Sequence, residues 1–169
     1  MARDTKASRQ LHTKPKAKPK GRKLTHAQAV KKVDLWFSKL VRYEAADRYG
    51  NARCFTCGKE DHVSNLQAGH FASRRFWATR WDSDNVRTQC VSCNIYRAGE
   101  QWVFGCALER EQPGRAHQVM QRAQQHRAYK VEELVELASR YKAAALLHAS
   151  IKRVVHRAGG RDAGAGAEE

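Results

Sequence analysis

Residues 85–94 read "NVRTQCVSCN", a strand-like run that leads into a tight Cys-x-x-Cys loop formed by Cys90 and Cys93. A second pair, Cys54 and Cys57, lies upstream in "CFTC", with 32 residues between the two pairs. Four thiolates from two such loops can surround one ion in the closed tetrahedral arrangement that structural zinc prefers. The quartet therefore predicts a structural Zn²⁺ site, whose metal supplies folding free energy that a small core lacks.

The alternatives for these cysteines are disulfides and free buried thiols. No stretch approaches the roughly 18 apolar residues of a membrane span, and no signal-peptide core follows the basic N-terminus, so we expect a cytoplasmic protein. Disulfides are disfavoured in that compartment.

The gap between the pairs exceeds zinc-ribbon spacing, which predicts a substantial insertion between the two loops. Cys106 stands apart, near Val103 and Leu108, and is predicted to be a small core residue.

The insertion contains two strand-like runs, "LQAGHF" at 66–71 and "NVRTQC" at 85–90. When zinc holds the two loops together, these runs can pair as a hairpin, with a helix beginning near Cys93 lying across it. Three polar residues, His70, Asn85 and Asn94, would then converge on one face. From the residues alone, His70 can also be a core histidine, and the two asparagines can be caps of turns or helices.

Helical patterns flank this region. Thr25 and Gln28 have the spacing of a capping box, and the apolar positions that follow recur at helical spacing, which predicts a helix over about 26–48. Helix returns from about 99 onward, with a break at "QPG". The last helix carries an apolar stripe that we interpret as a packing surface, with a dimer seam as the alternative. Its members are Val131, Leu134, Val135, Ala138, Tyr141, Ala145 and Leu146.

The charge of the chain points to a polyanionic partner. Its 169 residues include 32 Lys and Arg against 17 Asp and Glu, a net charge of +15. So large an excess costs self-repulsion and is typical of proteins that bind nucleic acid. The folded domain is predicted at 25–155, followed by a flexible Gly/Ala-rich tail at 156–169.

Residues 1–24 are predicted to be a disordered basic tail, because "KPKAKPKGRK" is too polar and proline-interrupted to bury anything. The tail either solubilises the protein or contacts DNA phosphates, with an affinity that falls as salt rises. Its predicted DNA contacts are Lys14, Lys16, Lys18, Lys20, Arg22 and Lys23.

In order and spacing, "CFTC", "AGH" and "DNVRTQCVSCN" resemble the His-Asn-Asn form of the HNH nuclease superfamily with a four-cysteine zinc support. More narrowly, "CFTCG", "AGHF", "NVRTQCVSCN" and the following "AG" resemble the NinG, or Rap, recombination proteins of lambdoid phages, which cut branched DNA. The resemblance covers about residues 28–147 and is strongest over 54–99. It implies an α+β fold in which a small zinc-stabilised ββα-metal core, treble-clef-like, is flanked by α-helices.

The resemblance implies roles for individual residues. His70 would be the general base, Asn85 would orient it through the loop, and Asn94 would be a ligand of a catalytic Mg²⁺ or Mn²⁺. The chain departs from the pattern at Gly69, where many HNH enzymes carry an acidic or histidine ligand. The nearest carboxylates are Asp82, which the resemblance favours as the replacement, and Asp84; either can also be a turn former.

Within the insertion, "SRRFWATRW" interleaves arginines with aromatic residues. Guanidinium groups can bind phosphates while aromatic rings lie against sugars or unstacked bases, although the rings can instead cover the zinc core. Arg87 and Arg97 flank the expected site and are also predicted to contact DNA. The predicted contacts in the insertion itself are Arg74, Arg75 and Arg80.

The resemblance implies a metal-dependent endonuclease that cuts Holliday junctions and D-loops in phage or prophage recombination, in the cytoplasm of the bacterial host. A four-way junction has two-fold symmetry and needs two nicks, so a homodimer is expected. Two alternatives remain: a non-catalytic zinc module that binds DNA junctions, and an HNH nicking or restriction-type endonuclease acting on duplex DNA.

Overall fold

A computed structural model describes residues 23–159, with side chains described up to residue 151. The first helix, α1, spans His26–Ala45. The predicted capping box is confirmed, because the Thr25 hydroxyl accepts from Gln28 N–H and the Gln28 side chain accepts from Thr25 N–H. The helix ends three residues before the predicted limit, where Ala46 turns to extended backbone.

Two antiparallel hairpins follow α1. Strands β1 (Asn51–Arg53) and β2 (Glu60–His62) form the first, which the sequence analysis did not predict. Strands β3 (Leu66–His70) and β4 (Val86–Cys90) form the second, as predicted, with Leu66 opposite Cys90 and His70 opposite Val86. The cysteine and the histidine therefore mark opposite ends of one hairpin.

The rest of the described chain is helical. The helix predicted near Cys93 is a π-helical turn of five residues, Ser92–Tyr96. It leads to α2 (Gln101–Glu111), α3 (Arg115–Ala123) and α4 (Val131–Gly159). The break predicted at "QPG" lies between α2 and α3, where Gly114 has a φ of 82°. The chain is thus a mixed α+β protein with two small antiparallel sheets.

Helices α1 and α4 pack against each other and against one face of the β3–β4 hairpin. This core contains Val33 and Phe37 from α1, Ala68 and Val86 from the hairpin, and Leu134 from α4. A second cluster surrounds the cysteines, and a third joins Val119 and Ala123 of α3 to the loop after β3. Within residues 23–159, no helix combines the length and apolar character that a membrane crossing requires.

Two predictions about helix faces need correction. Cys106 is exposed rather than part of the core, because α2 turns Phe104, Ala107 and Leu108 inward and position 106 lies off that face. The α4 stripe is narrower than predicted. Leu134, Ala138 and Ala145 are buried, whereas Val135 and Leu146 are 44% and 48% exposed.

Candidate functional site

The four predicted zinc ligands lie together. The Sγ atoms of Cys54, Cys57, Cys90 and Cys93 are all within 4.8 Å of one another, and the Sγ atoms of Cys57 and Cys90 are 3.9 Å apart. Four sulfurs at zinc–sulfur distances of about 2.3 Å in a tetrahedron lie about 3.8 Å from each other. The cluster can therefore hold one structural metal ion such as Zn²⁺.

Backbone hydrogen bonds shape the first cysteine loop and tie it to the hairpin. Cys54 N–H donates to the Lys59 carbonyl at 2.8 Å, and Gly58 N–H donates to the Cys54 carbonyl at 2.9 Å. Gly58 has a φ of 72°, which glycine adopts without steric cost. Phe55 N–H donates to the Thr88 carbonyl of β4 at 2.8 Å, so the loop is attached to the strand that carries Cys90.

The thiols of the cluster differ in acidity. Burial raises the pKa of Cys54, but hydrogen bonds from Cys57 N–H and the Thr56 hydroxyl outweigh burial and bring that pKa to about 6. Burial and the neighbouring thiols raise the pKa of Cys93 to about 12. A bound divalent cation would offset the mutual repulsion and let all four thiols ionise together.

At the other end of the hairpin, His70 is held by a single strong contact. Its Nε2–H donates to the Arg80 carbonyl at 3.0 Å, because a carbonyl oxygen can only accept. This bond leaves Nδ1 as the unprotonated nitrogen, which accepts a hydrogen bond from Arg74 Nε at 3.4 Å. Burial and the Arg74 charge lower the pKa of His70 to about 4. The imidazole is therefore neutral near pH 7 and can accept a proton at Nδ1.

Asn85 closes the loop that orients this histidine. Its side chain is fully buried and accepts from Ala72 N–H at 2.6 Å. Its Nδ2 donates to the carbonyls of Ala72 and Thr79 at 2.9 and 2.8 Å. These bonds fix the segment that contains Arg80, whose carbonyl holds His70.

The structure brings His70 and Asn94 to one groove. The groove has a volume of about 830 Å³, and its lining also includes the exposed Arg74 and Arg75. Asn94 Nδ2 donates to Gln67 Oε1 at 2.6 Å, which leaves Asn94 Oδ1 as the acceptor atom of that amide. Two exposed guanidinium groups, a neutral imidazole and an amide oxygen thus lie in one open groove.

Gly69, the departure from the HNH pattern, has a packing reason. A Cβ at this position would lie 1.8 Å from Gln89 Oε1. Gln89 is fully buried, and its Nε2 donates to the Gly99 carbonyl at 2.9 Å. Its Oε1 has no hydrogen-bond partner among the described residues. Gln89 was not predicted as a site residue. The signal for it in the sequence is a glycine on one strand, Gly69, which leaves room for a large side chain on the same face of the paired strand.

Asp82 is not brought to this groove. Its Oδ2 accepts from Arg122 Nε of α3 at 2.9 Å, and its Oδ1 accepts from Asp84 N–H. It lines a separate cavity of about 290 Å³, near Tyr129 and Arg140. Asp84 is likewise paired with Arg122 at 2.9 Å. Both carboxylates anchor the loop to α3 instead of facing His70.

Three of the predicted DNA-contacting arginines are paired with carboxylates of this chain. Arg80 binds both carboxylate oxygens of Asp34, at 3.0 and 2.7 Å. Arg87 pairs with Glu111 at 2.6 Å. Arg97 donates to Cys93 Sγ at 2.7 Å and pairs with Glu100. Lys23 is exposed, whereas five predicted contacts lie outside the described residues: Lys14, Lys16, Lys18, Lys20 and Arg22.

The aromatic residues of the insertion serve mainly as core. Trp81 is buried, donates through Nε1 to Asp34 at 2.8 Å, and packs against Trp77 and Tyr129. The alternative that these rings cover the zinc core is wrong. Trp77 and Trp81 lie in the core that α1 and α4 share, and Phe76 packs in the third cluster, against α3.

These features define a class: a small α+β protein with a four-cysteine metal site at one end of a β-hairpin and a basic groove around a histidine at the other. The family model "NinG: Bacteriophage Lambda NinG protein" matches residues 1–150. The chain belongs to the NinG family and is therefore a phage recombination-related protein. Comparisons with curated proteins and with solved structures gave no significant match.

Proposed function

We propose that the protein is a metal-dependent endonuclease that cuts branched DNA during phage recombination, with the β3–β4 hairpin and the π-helical turn as its ββα-metal core. One observation carries the proposal: the Arg80 carbonyl fixes the Nε2–H of His70, so Nδ1, which now accepts from Arg74 Nε, is the nitrogen that can take a proton on a residue that lines a basic groove.

In the proposed reaction, His70 Nδ1 takes a proton from a water molecule, and the water oxygen attacks the scissile phosphorus. The new oxygen–phosphorus bond forms as the bond from phosphorus to the 3′ oxygen breaks. The products are a 5′ phosphate and a 3′ hydroxyl, whose oxygen is protonated by solvent. Arg74 and Arg75, which line the groove, would hold the phosphate backbone there.

A catalytic Mg²⁺ or Mn²⁺ would neutralise the charge that develops on the phosphate. Asn94 would hold it through Oδ1, because hard cations accept amide oxygens and keep several waters. Gln89 Oε1 is left out of this site, because Gln89 is fully buried and does not line the groove. We leave Asp82 out of this site because its carboxylate is held by Arg122.

The proposed substrate is a four-way junction or a D-loop, bound by a homodimer that makes two nicks in the host cytoplasm. Backbone contacts from Arg74, Arg75 and the basic residues at positions 14–23 would give affinity without sequence preference. The net charge of +15 supports such contacts, and their strength should fall steeply as salt rises.

The test compares a labelled four-way junction with a matched linear duplex in Mg²⁺ or Mn²⁺. Three zinc-loaded proteins are needed: the wild type, His70→Ala, and His62→Ala as a control at an exposed histidine of β2. We expect the wild type and His62→Ala to nick the junction selectively and leave 5′ phosphates, and His70→Ala to bind without cutting.

Two results would overturn the proposal. Tight junction binding without cutting by any of the three proteins would indicate a non-catalytic junction-binding module. Cutting of the linear duplex at fixed sites, regardless of branching, would indicate a nicking or restriction-type enzyme. Persistent cutting by His70→Ala would remove His70 from the role of base.

A further inference from the structure

Two aromatic side chains beside the groove are unusually exposed. Trp102 is 83% exposed and Tyr96 is 81% exposed, the highest values among the large apolar side chains of the described residues. Each is a chain neighbour of residues that line the groove, Ile95 and Gln101. The other tryptophans, at positions 36, 77 and 81, pack at least partly against the α1–α4 core. Because folding leaves both rings exposed and residues of the segment between them line the groove, the two rings are candidates for a binding surface.

The turn that carries these two rings is firmly held. Gly99 N–H donates to the Cys93 carbonyl at 2.8 Å, and the Gly99 carbonyl accepts from Gln89 at 2.9 Å. Gln101 Nε2 donates to the His70 carbonyl at 3.2 Å. The turn is thus attached to the cysteine cluster on one side and to the proposed base on the other.

The backbone of this turn is also unusual. Ala98 and Glu100 have φ values of 49° and 51°, the two positive values among the described non-glycine residues. Left-handed backbone at such residues persists only where the surroundings enforce it, and it is concentrated at functional sites. Here it sets the path of the chain between Tyr96 and Trp102, so the two rings are presented from a fixed support.

The surroundings of the rings match the charge of DNA. Arg74 and Arg75 line the same groove and are exposed, and the whole chain carries a charge of +15. Flat rings carried by a turn that borders a groove with exposed guanidinium groups suit a nucleic acid whose bases are accessible, because each base has a face on which an aromatic ring can stack. In a continuous duplex those faces are covered by neighbouring bases, whereas a branch point exposes them.

We propose that Tyr96 and Trp102 stack against unstacked bases at a DNA branch point while the adjoining phosphates lie in the His70 groove. This inference rests on the proposed function and deepens it, because it assigns the preference for branched over linear DNA to two named side chains. The rings supply the preference, and the arginines supply affinity for any DNA backbone.

The test uses a four-way junction with 2-aminopurine at the branch point, and a linear duplex with the same base in the same sequence. Affinity and 2-aminopurine fluorescence are measured without added Mg²⁺ or Mn²⁺ for the wild type, Tyr96→Ala, Trp102→Ala and Trp102→Phe. Tyr49→Ala is the matched control, since Tyr49 is 57% exposed and its chain neighbours, Arg48 and Gly50, do not line the groove. Circular dichroism checks that each variant is folded.

We expect Trp102→Ala to weaken junction binding about tenfold and to abolish the fluorescence change, with a smaller loss for Tyr96→Ala. Trp102→Phe should retain most of both signals because it keeps a ring. Tyr49→Ala should behave as the wild type, and affinity for the linear duplex should change by less than about twofold in every variant.

Three results would overturn the inference. Both alanine variants could keep the wild-type affinity and fluorescence change, or they could lose junction and duplex affinity equally. They could also convert a dimer to a monomer in sedimentation experiments, which would make these rings a contact with a second copy of the chain. The cleavage assay with His70→Ala is independent of these measurements, so failure of the stacking role and failure of the nuclease role are distinguishable.

Discussion

The two ends of the β3–β4 hairpin use the same pair of strands in opposite ways. At the Leu66–Cys90 end, four thiols close around one position, and three of the four cysteines are buried. At the His70–Val86 end, the strands open into a groove, and the imidazole keeps one nitrogen unprotonated. A closed set of four soft ligands suits a structural metal, whereas an open cleft admits water and substrate. Stability and the proposed chemistry are therefore separated by one short hairpin.

The largest effect on stability is expected when the four-cysteine cluster loses a ligand or its metal ion. Cys90→Ser, or removal of the metal with a chelator, should abolish cooperative folding. Structural zinc contributes about 10 kcal/mol or more, which is comparable to the whole stability of a small domain. Thermal unfolding by circular dichroism and zinc content would be measured together. Cys106→Ser, outside the cluster, is the control and should change neither. Unaltered folding of Cys90→Ser without metal would show that the cysteine end is not a metal-dependent scaffold.

An intermediate effect is expected from Gly69→Ala, in the middle of the hairpin face. The new Cβ would overlap Gln89 Oε1 and force that buried side chain away from Gly99, at a cost of about 3 kcal/mol. Urea unfolding would measure the loss. The double variant Gly69→Ala/Gln89→Ala should cost less than the sum of the two single changes, by about 1 to 2 kcal/mol. Simple additivity of the two changes would refute the proposed overlap.

The smallest expected effect is a pH-dependent change in the free energy of unfolding, caused by His70. The pKa of His70 is about 4 in the folded protein against an ordinary 6.5, because of burial first and Arg74 second. Between these values the unfolded chain binds a proton that the folded protein excludes. Stability from this group is therefore complete above about pH 6.5 and is lost as pH falls toward about 4. We expect a loss of about 2 kcal/mol between pH 7 and pH 5.

The measurement is urea unfolding of the wild type and His70→Gln at the two pH values. The variant lacks the titrating imidazole and should lose less stability than the wild type over this range. His62→Gln, at an exposed position, should follow the wild type. If the wild type and His70→Gln lose the same free energy of unfolding, burial does not lower the pKa of His70, and the histidine end of the hairpin is exposed to solvent.

The features that sequence could predict are those set by neighbours in the chain. Thr25 and Gln28 of the capping box are three positions apart, and the strand-like runs that contain β3 and β4 are visible one by one. The spacing within each Cys-x-x-Cys pair is equally local. Together these predicted the α1 start, the central hairpin and the cluster of four thiols.

The features that sequence could not predict depend on distant partners. Arg80 pairs with Asp34 across 46 positions, and Arg122 with Asp82 across 40. Such pairs decide which arginines remain available for DNA and which carboxylates remain available for a cation. Gln89 acquires its importance only when β4 lies against Gly69. The three-residue strands β1 and β2 are also too short to give a periodic signal.

The register of β3 against β4 links the two ends in a further way. Because side chains alternate between faces, a slip of one residue would turn every inward side chain of a strand outward. A slip of β4 would take Cys90 out of the thiol cluster, whereas a slip of β3 would take His70 away from the Arg80 carbonyl. Each strand therefore carries one residue whose contact depends on its alignment, Cys90 on β4 and His70 on β3. Deletions or insertions within 66–70 or 86–90 should be poorly tolerated during evolution for this reason, even where they leave the cysteines and the histidine in place.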